Sequence, residues 1–244
     1  MNQSDRKAVG ILAVQGDFEL HSKMLDRLGA RWKLVKHATD LNRVAGLIMP
    51  GGESTTMLKF LSSPAESRGE AAIRPRAVGD PPGRPYAMDS GQGRIGARRC
   101  LARNSGATEQ VGPPLGVAIC QFAAQGKPIF GTCAGAILLA KEVLNAPQDC
   151  LGLIDITIER NAYGRQIDSA VRRGDCPELS ARPLEMVFIR APIIRRVGEG
   201  VRVLGRSDGL PVLVEQGNIV AATFHPELTD DETIHRYFLG KMGL

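Results

Sequence analysis

From Ala8 to Val14 the chain holds an unbroken apolar run of strand length, which suits a central parallel strand covered on both faces. Gln15-Gly16-Asp17 turns the chain, and Phe18, Leu25 and Leu28 then recur at helical spacing until Gly29 stops the helix. Arg31–Val35 reads as a second strand, Leu41–Val44 as at most a short helix, and Gly46–Met49 as a third strand. Ser54 is placed to cap a helix over Thr55–Leu61. Strand and helix alternate, so the expected fold is α/β, with a mainly parallel sheet flanked by helices and loops gathered at its carboxyl edge.

The pattern breaks at Ser63. Through Ala118 the chain holds nine Gly, seven Pro and eight Arg, with Tyr86 its only aromatic residue. Such a segment cannot bury enough apolar surface to order itself, and it is expected to be a disordered insertion at 63–118 in one domain spanning 1–244. Two readings of it stay open: a tolerated surface loop, or a translated stretch absent from the functional protein. Periodicity resumes with a helix over Val117–Gln125, a strand into Cys133, and a helix continuing through Val143. Leu153–Ile158, Val187–Pro192, Val201–Leu204, Leu210–Glu215 and Ile219–Phe224 are further short strands. Gly209-Leu210-Pro211 and Gln216-Gly217-Asn218 mark hairpin turns, so part of this half is antiparallel. Glu232–Met242 closes the chain as an amphipathic helix.

Composition narrows the function classes. A hydrophobic content of 43% and a charged content of 23% in 244 residues are ordinary for a globular domain. No apolar run reaches the ~20 residues of a membrane helix, and the polar N-terminus has no signal-peptide core. A cytoplasmic protein with no membrane association is the expectation. The five cysteines have no C-x-x-C pair, which favours reduced thiols over disulfides or a zinc ribbon, and no metal site is expected. The net charge of +5 comes largely from the irregular segment and forms no basic stripe with aromatics, so nucleic acid is not an expected partner.

The chemistry gathers at Gly131-Thr132-Cys133-Ala134-Gly135. A short strand ends at a cysteine with glycine two residues to either side, and an apolar helix begins: the pattern of a nucleophile elbow. A helix amino terminus behind the sulfur favours a thiolate. A thiol nucleophile needs a base, and the base an orienting group. Of the four histidines, His21, His37 and His235 read as packing or surface residues. His225 stands at a strand end before Pro226, with Glu227 two residues on and able to share its face. The N–H of Ala134 and the Gly51-Gly52 loop at the end of another strand are candidates for an oxyanion hole, through Gly52 and Ala134.

Six motifs in this order resemble the class I (triad) glutamine amidotransferases, and more finely the PdxT/SNO family of glutaminase subunits of pyridoxal 5′-phosphate synthase. They are Leu12–Gly16, Pro50–Thr56, Gly131–Gly135, Arg160–Gln166, Phe188–Pro192 and Phe224–Thr229. The resemblance implies a three-layer, flavodoxin-like fold and hydrolysis of L-glutamine to glutamate and ammonia. It implies Cys133 as nucleophile, His225 as base and Glu227 as its orienter, with Gly51, Gly52, Glu53, Arg160, Ile189 and Arg190 binding glutamine. It implies a partner, a (β/α)8-barrel synthase subunit of the PdxS/SNZ type in a large hetero-oligomer that receives the ammonia. Pyridoxal phosphate would be that complex's product, and this chain would carry no cofactor of its own. A glutaminase subunit of another biosynthetic pathway, or a non-catalytic homologue disabled by the insertion, are the alternatives.

Overall fold

The computed structural model describes residues 8–63, 113–145, 148–160 and 169–244. Strands β1 (Val9–Leu12), β2 (Trp32–Val35), β3 (Gly46–Met49), β4 (Ile129–Thr132) and β12 (Ile219–Ala222) are parallel neighbours. Strands β11 (Leu210–Gln216) and β10 (Arg202–Ser207) extend the sheet antiparallel, giving the order β10-β11-β12-β4-β3-β1-β2. The parallel part has the flavodoxin-like order, whose ligand crevice lies at the carboxyl strand ends.

Side chains along each central strand alternate between the two faces. Ile11, Ile48, Phe130 and Val220 pack with Leu25 of α1 (Phe18–Arg27) and Ile234 and Phe238 of α5 (Thr233–Lys241). Leu12, Leu47, Met49, Ile129 and Ala221 face α2 (Ser54–Ser62), α3 (Leu115–Ala124) and α4 (Ala134–Leu139). This is the expected three-layer α/β architecture. Among the described residues no helix is long and apolar enough to cross a membrane.

Four local expectations change. The helix after Cys133 stops at Leu139, and Ala140–Leu144 is a strand, β5, parallel to β6 (Ile154–Glu159). Residues 134–139 are all buried, whereas Lys141 and Glu142 are exposed; a register shift between Ala140 and Glu142 lets both face solvent while Ala140 and Val143 stay inside. Strands β7 (Ser169–Gly174) and β9 (Ile193–Val197) were not expected; β7 pairs antiparallel with β8 (Leu184–Ile189), and β9 with β6. At the start of α2, extended Glu53 stands at the boundary and Ser54 is the first helical residue, its hydroxyl donating to Gln148 Oε1 at 3.0 Å. Finally, Ser63 ends α2 and residues 113–118 belong to the ordered fold, with Leu115 fully buried.

The interruption is therefore shorter than 63–118 at both ends, and the expectation of disorder for residues 64–112 lies outside the described residues. A Cβ on Gly116 would sit 3.2 Å from the Leu61 carbonyl oxygen, so the helices before and after the interruption pack directly together. With the two ends neighbours, added chain between them costs only loop-closure entropy, which grows slowly with length. Strand β4 keeps full register between β3 and β12.

Candidate active site

Cys133 follows β4 in a strained conformation, φ 47° and ψ −102°, which a non-glycine residue adopts only when its surroundings enforce it. Those surroundings are explicit. The Cys133 N–H donates to the Ala222 carbonyl at 2.8 Å, and its own carbonyl accepts from Ile137 N–H at 3.1 Å inside α4. A Cβ on Gly135 would lie 2.0 Å from the Met49 carbonyl oxygen, and one on Gly131 2.6 Å from Leu139 Cδ1. The two glycines let the turn pass beneath β3 and α4. Ala134 opens α4, so its N–H has no intrahelical acceptor.

His225 follows β12 and is tied to β8 through its N–H and the Val187 carbonyl, 2.8 Å apart. Its Nδ1 lies 2.8 Å from Glu227 Oε1, both side chains being buried. Burial works against a charged imidazole, but hydrogen bonding to Cys133 and Glu227 outweighs it and pushes the His225 pKa up to about 10. Burial would raise the Glu227 carboxyl, yet His21 and His225 beside it hold it down at about 2. The expected three residues thus meet at the carboxyl edge of the sheet, although they come from separate segments.

The glycine loop closes over them. A Cβ on Gly51 would lie 2.3 Å from His225 Cε1, so glycine is what allows the imidazole to sit there. Gln15 Oε1 accepts from Glu53 N–H at 2.9 Å, and Gly51 O accepts from Asp17 N–H at 3.3 Å. The β1–α1 turn therefore holds the Gly51–Glu53 loop in place. Thr55 and Thr56 hydroxyls donate to the Glu53 carboxylate and lower its pKa, with a smaller contribution from Arg160. Arg160 donates to Gln148 Oε1 at 2.7 Å, the same oxygen that Ser54 reaches. The Ile189 carbonyl faces the Cys133 sulfur at 3.8 Å. Arg190 is exposed, with φ 42° where the chain turns out of β8. Asn161–Gln166 of the fourth motif lie outside the described residues.

Four polar residues of this neighbourhood had no role in the sequence reading: Gln15, His21, Thr132 and Gln148. Gln15 belongs to one of the six motifs, so a signal for it existed. Thr132 likewise lies in the Gly131–Gly135 motif; His21 and Gln148 are identifiable only from their contacts.

The model of the SNO glutamine amidotransferase family matches residues 11–66 and 112–243, passing over 67–111. The chain belongs to this family. It is 42% identical to the pyridoxal 5′-phosphate synthase subunit PdxT of Solibacter usitatus, covering 97% of this chain and all of the relative. The PdxT of Thermus thermophilus is 40% identical, over 98% of this chain and all of its own length. A crystal structure described as that of a glutamine amidotransferase superposes with a TM-score of 0.71 at 38% identity, covering 97% of this chain and all of the other.

Proposed function

We propose that this chain is the glutaminase subunit of a pyridoxal 5′-phosphate synthase, with Cys133, His225 and Glu227 as its catalytic residues. The observation that carries the assignment of roles is a strained cysteine following a strand end, beside a buried imidazole whose Nδ1 lies 2.8 Å from Glu227 Oε1.

The thiol proton passes to His225, and the sulfur attacks the side-chain carbonyl carbon of glutamine. Negative charge develops on the carbonyl oxygen, where the N–H groups of Ala134 and Gly52 receive it. The tetrahedral intermediate collapses as the C–N bond breaks, and the His225 proton goes to the departing nitrogen, which leaves as ammonia. A water molecule, deprotonated by His225, then attacks the thioester; glutamate leaves and the thiol is restored. Glu227 accepts from His225 Nδ1–H and keeps Nε2 turned to the sulfur. Gly51, Glu53, Arg160, Ile189 and Arg190 bind the glutamine; an arginine fork suits its α-carboxylate. No step requires a metal or an organic cofactor.

The ammonia is handed to a (β/α)8-barrel synthase subunit in a cytoplasmic hetero-oligomer. The near-complete coverage of both PdxT relatives supports this assignment over a different biosynthetic pathway. Cys133→Ala should abolish glutamine hydrolysis in the presence of the synthase partner while leaving complex formation intact. Hydrolysis retained by that variant would overturn the assigned chemistry, and failure to bind such a synthase would overturn the pathway.

A further inference from the structure

Behind the triad lies a second buried set of polar groups that the chemistry above does not use. His21 of α1 and His235 of α5 are both fully buried, as is Thr132, the residue before the nucleophile. His21 Nδ1 is 3.0 Å from His235 Nε2. On its other side, His21 Nε2 lies 3.3 Å from Thr132 Oγ1 and 3.5 Å from Glu227 Oε2. Phe130 supports both rings edge-on, at 6.4 Å from His21 and 5.9 Å from His235. Of the Glu227 carboxylate, Oε1 takes the His225 hydrogen bond, while Oε2 is buried and lacks a partner at hydrogen-bond distance.

We infer that His21 is a positioning residue: its Nε2–H steadies Glu227 Oε2 and Thr132 from behind, and His235 sets the tautomer that makes this possible. This rests on Cys133, His225 and Glu227 acting as proposed above.

The tautomer follows from hydrogen-bond accounting. Only one proton can lie between His21 Nδ1 and His235 Nε2. If His235 donates, both rings carry their proton on Nε2. His21 Nε2–H then points at the Thr132 oxygen and the carboxylate, and what stays unmatched is the bare His235 Nδ1. If His21 donates instead, His235 must carry a buried Nδ1–H with no acceptor, since no partner reaches that atom. The His21 lone pair would also face a carboxylate. An orphaned buried N–H is the rarer and costlier defect. Burial disfavours the charged form of both rings, which keeps the pair neutral and the arrangement single-valued. A carboxylate bonded at Oε1 and backed at Oε2 by the His21 N–H 3.5 Å away has less freedom to rotate, which helps keep the His225 ring aimed at Cys133.

Selective 15N labelling of histidine tests the tautomer directly in the full-length chain. The expected spectrum at neutral pH has His21 and His235 each with a protonated Nε2 and a bare Nδ1. A protonated His21 Nδ1 would overturn the inference without touching the glutaminase assignment, which Cys133→Ala tests independently. In the assembled complex, His21→Leu should lower kcat by about tenfold, the loss of one close polar contact to a charge, with KM for glutamine unchanged. His21→Gln, which offers one acceptor to His235 and one donor to Glu227, should recover most of it. Equal activity of the Leu variant and the wild type would overturn the inference. So would a Gln variant that folds yet is no better than Leu.

Discussion

Cys133 and His225, proposed here as nucleophile and base, follow neighbouring strands, yet they are held by different balances of near and distant contacts. Cys133 is placed chiefly by its own immediate sequence, with one long-range tie to the Ala222 carbonyl and one close approach to Met49 of β3. Glycines at 131 and 135 permit the turn, a carbonyl bond to Ile137 starts the helix, and the strained φ of 47° follows from that local geometry. His225 is placed by distant segments. Val187 holds its backbone, Gly51 leaves room for its ring, and His21, from the first helix of the chain, stands behind its carboxylate partner. The elbow is thus mainly a local device braced by two neighbouring strands, while His225 depends on the whole carboxyl edge being assembled. Damage to each should look different.

The sharpest separation comes from Glu227→Gln. It keeps the shape of the site but removes the charge that orients His225, and a loss of roughly 10³-fold or more in kcat is expected with little change in folding. Steady-state hydrolysis with the partner present, beside a urea melt, checks both halves. Gly135→Ala attacks the elbow instead. Its Cβ would meet a backbone oxygen at 2.0 Å, and backbone cannot rotate away, so about 3 kcal/mol of stability should be lost as well as activity. A urea midpoint equal to wild type would show that the elbow is less rigid than the geometry indicates.

The His225 side makes stability depend on pH. His225 has a raised pKa, so its contribution is fully present below about 6.5 and is lost as pH rises through about 10. The carboxyl of Glu227 is depressed, so its contribution is present above its ordinary 4.5 and is lost as pH falls toward about 2. Buried, neutral His21 and His235 oppose low pH too, because the unfolded chain gains their protons below about 6.5. Stability from this cluster should therefore peak near neutrality, and His225→Asn should flatten the fall between pH 6.5 and 10. An unchanged alkaline limb in chemical unfolding would remove His225 as its source. The smallest effect is a control away from both devices: Arg236→Ala breaks a surface pair with Glu232, the residue before α5, at 2.6 Å and should shift stability by less than about 0.5 kcal/mol. A larger shift in the same urea assay would mean that α5 responds as a unit and blurs the local–distant contrast.

What could be read in advance follows the same division. The strands and helices around the central sheet were legible because both faces are covered, so apolar runs such as Val9–Leu12 and Gly46–Met49 stand out whole. Strand β7 was not legible: Ser169–Gly174 is a mostly exposed ribbon with two arginines and little apolar content. Strand β9 was hidden behind Arg190 and Pro192, which read as the end of a strand; the chain turns there at φ 42° and begins another. The change from α4 to β5 was invisible because Ala140 and Val143, three residues apart, fit a helical period, and the strand accommodates them only through a register shift. Only pairing with β6, including the Thr157 hydroxyl bond to Glu142 at 2.8 Å, chooses between helix and strand.

By itself, then, the sequence determined the α/β layering, the cysteine elbow and the His225–Glu227 pair. Each depends on spacing within a few residues or on apolar periodicity along one element. Tertiary structure alone decided that Gly51 makes room for the His225 ring, that Gln15 holds Glu53, that Gln148 links Ser54 with Arg160, and that two helical histidines meet behind Glu227. These are contacts between segments far apart in the chain. Nothing in a helix's own period distinguishes a histidine that fills space from one that completes a hydrogen-bond chain. The partner across the interface makes that distinction.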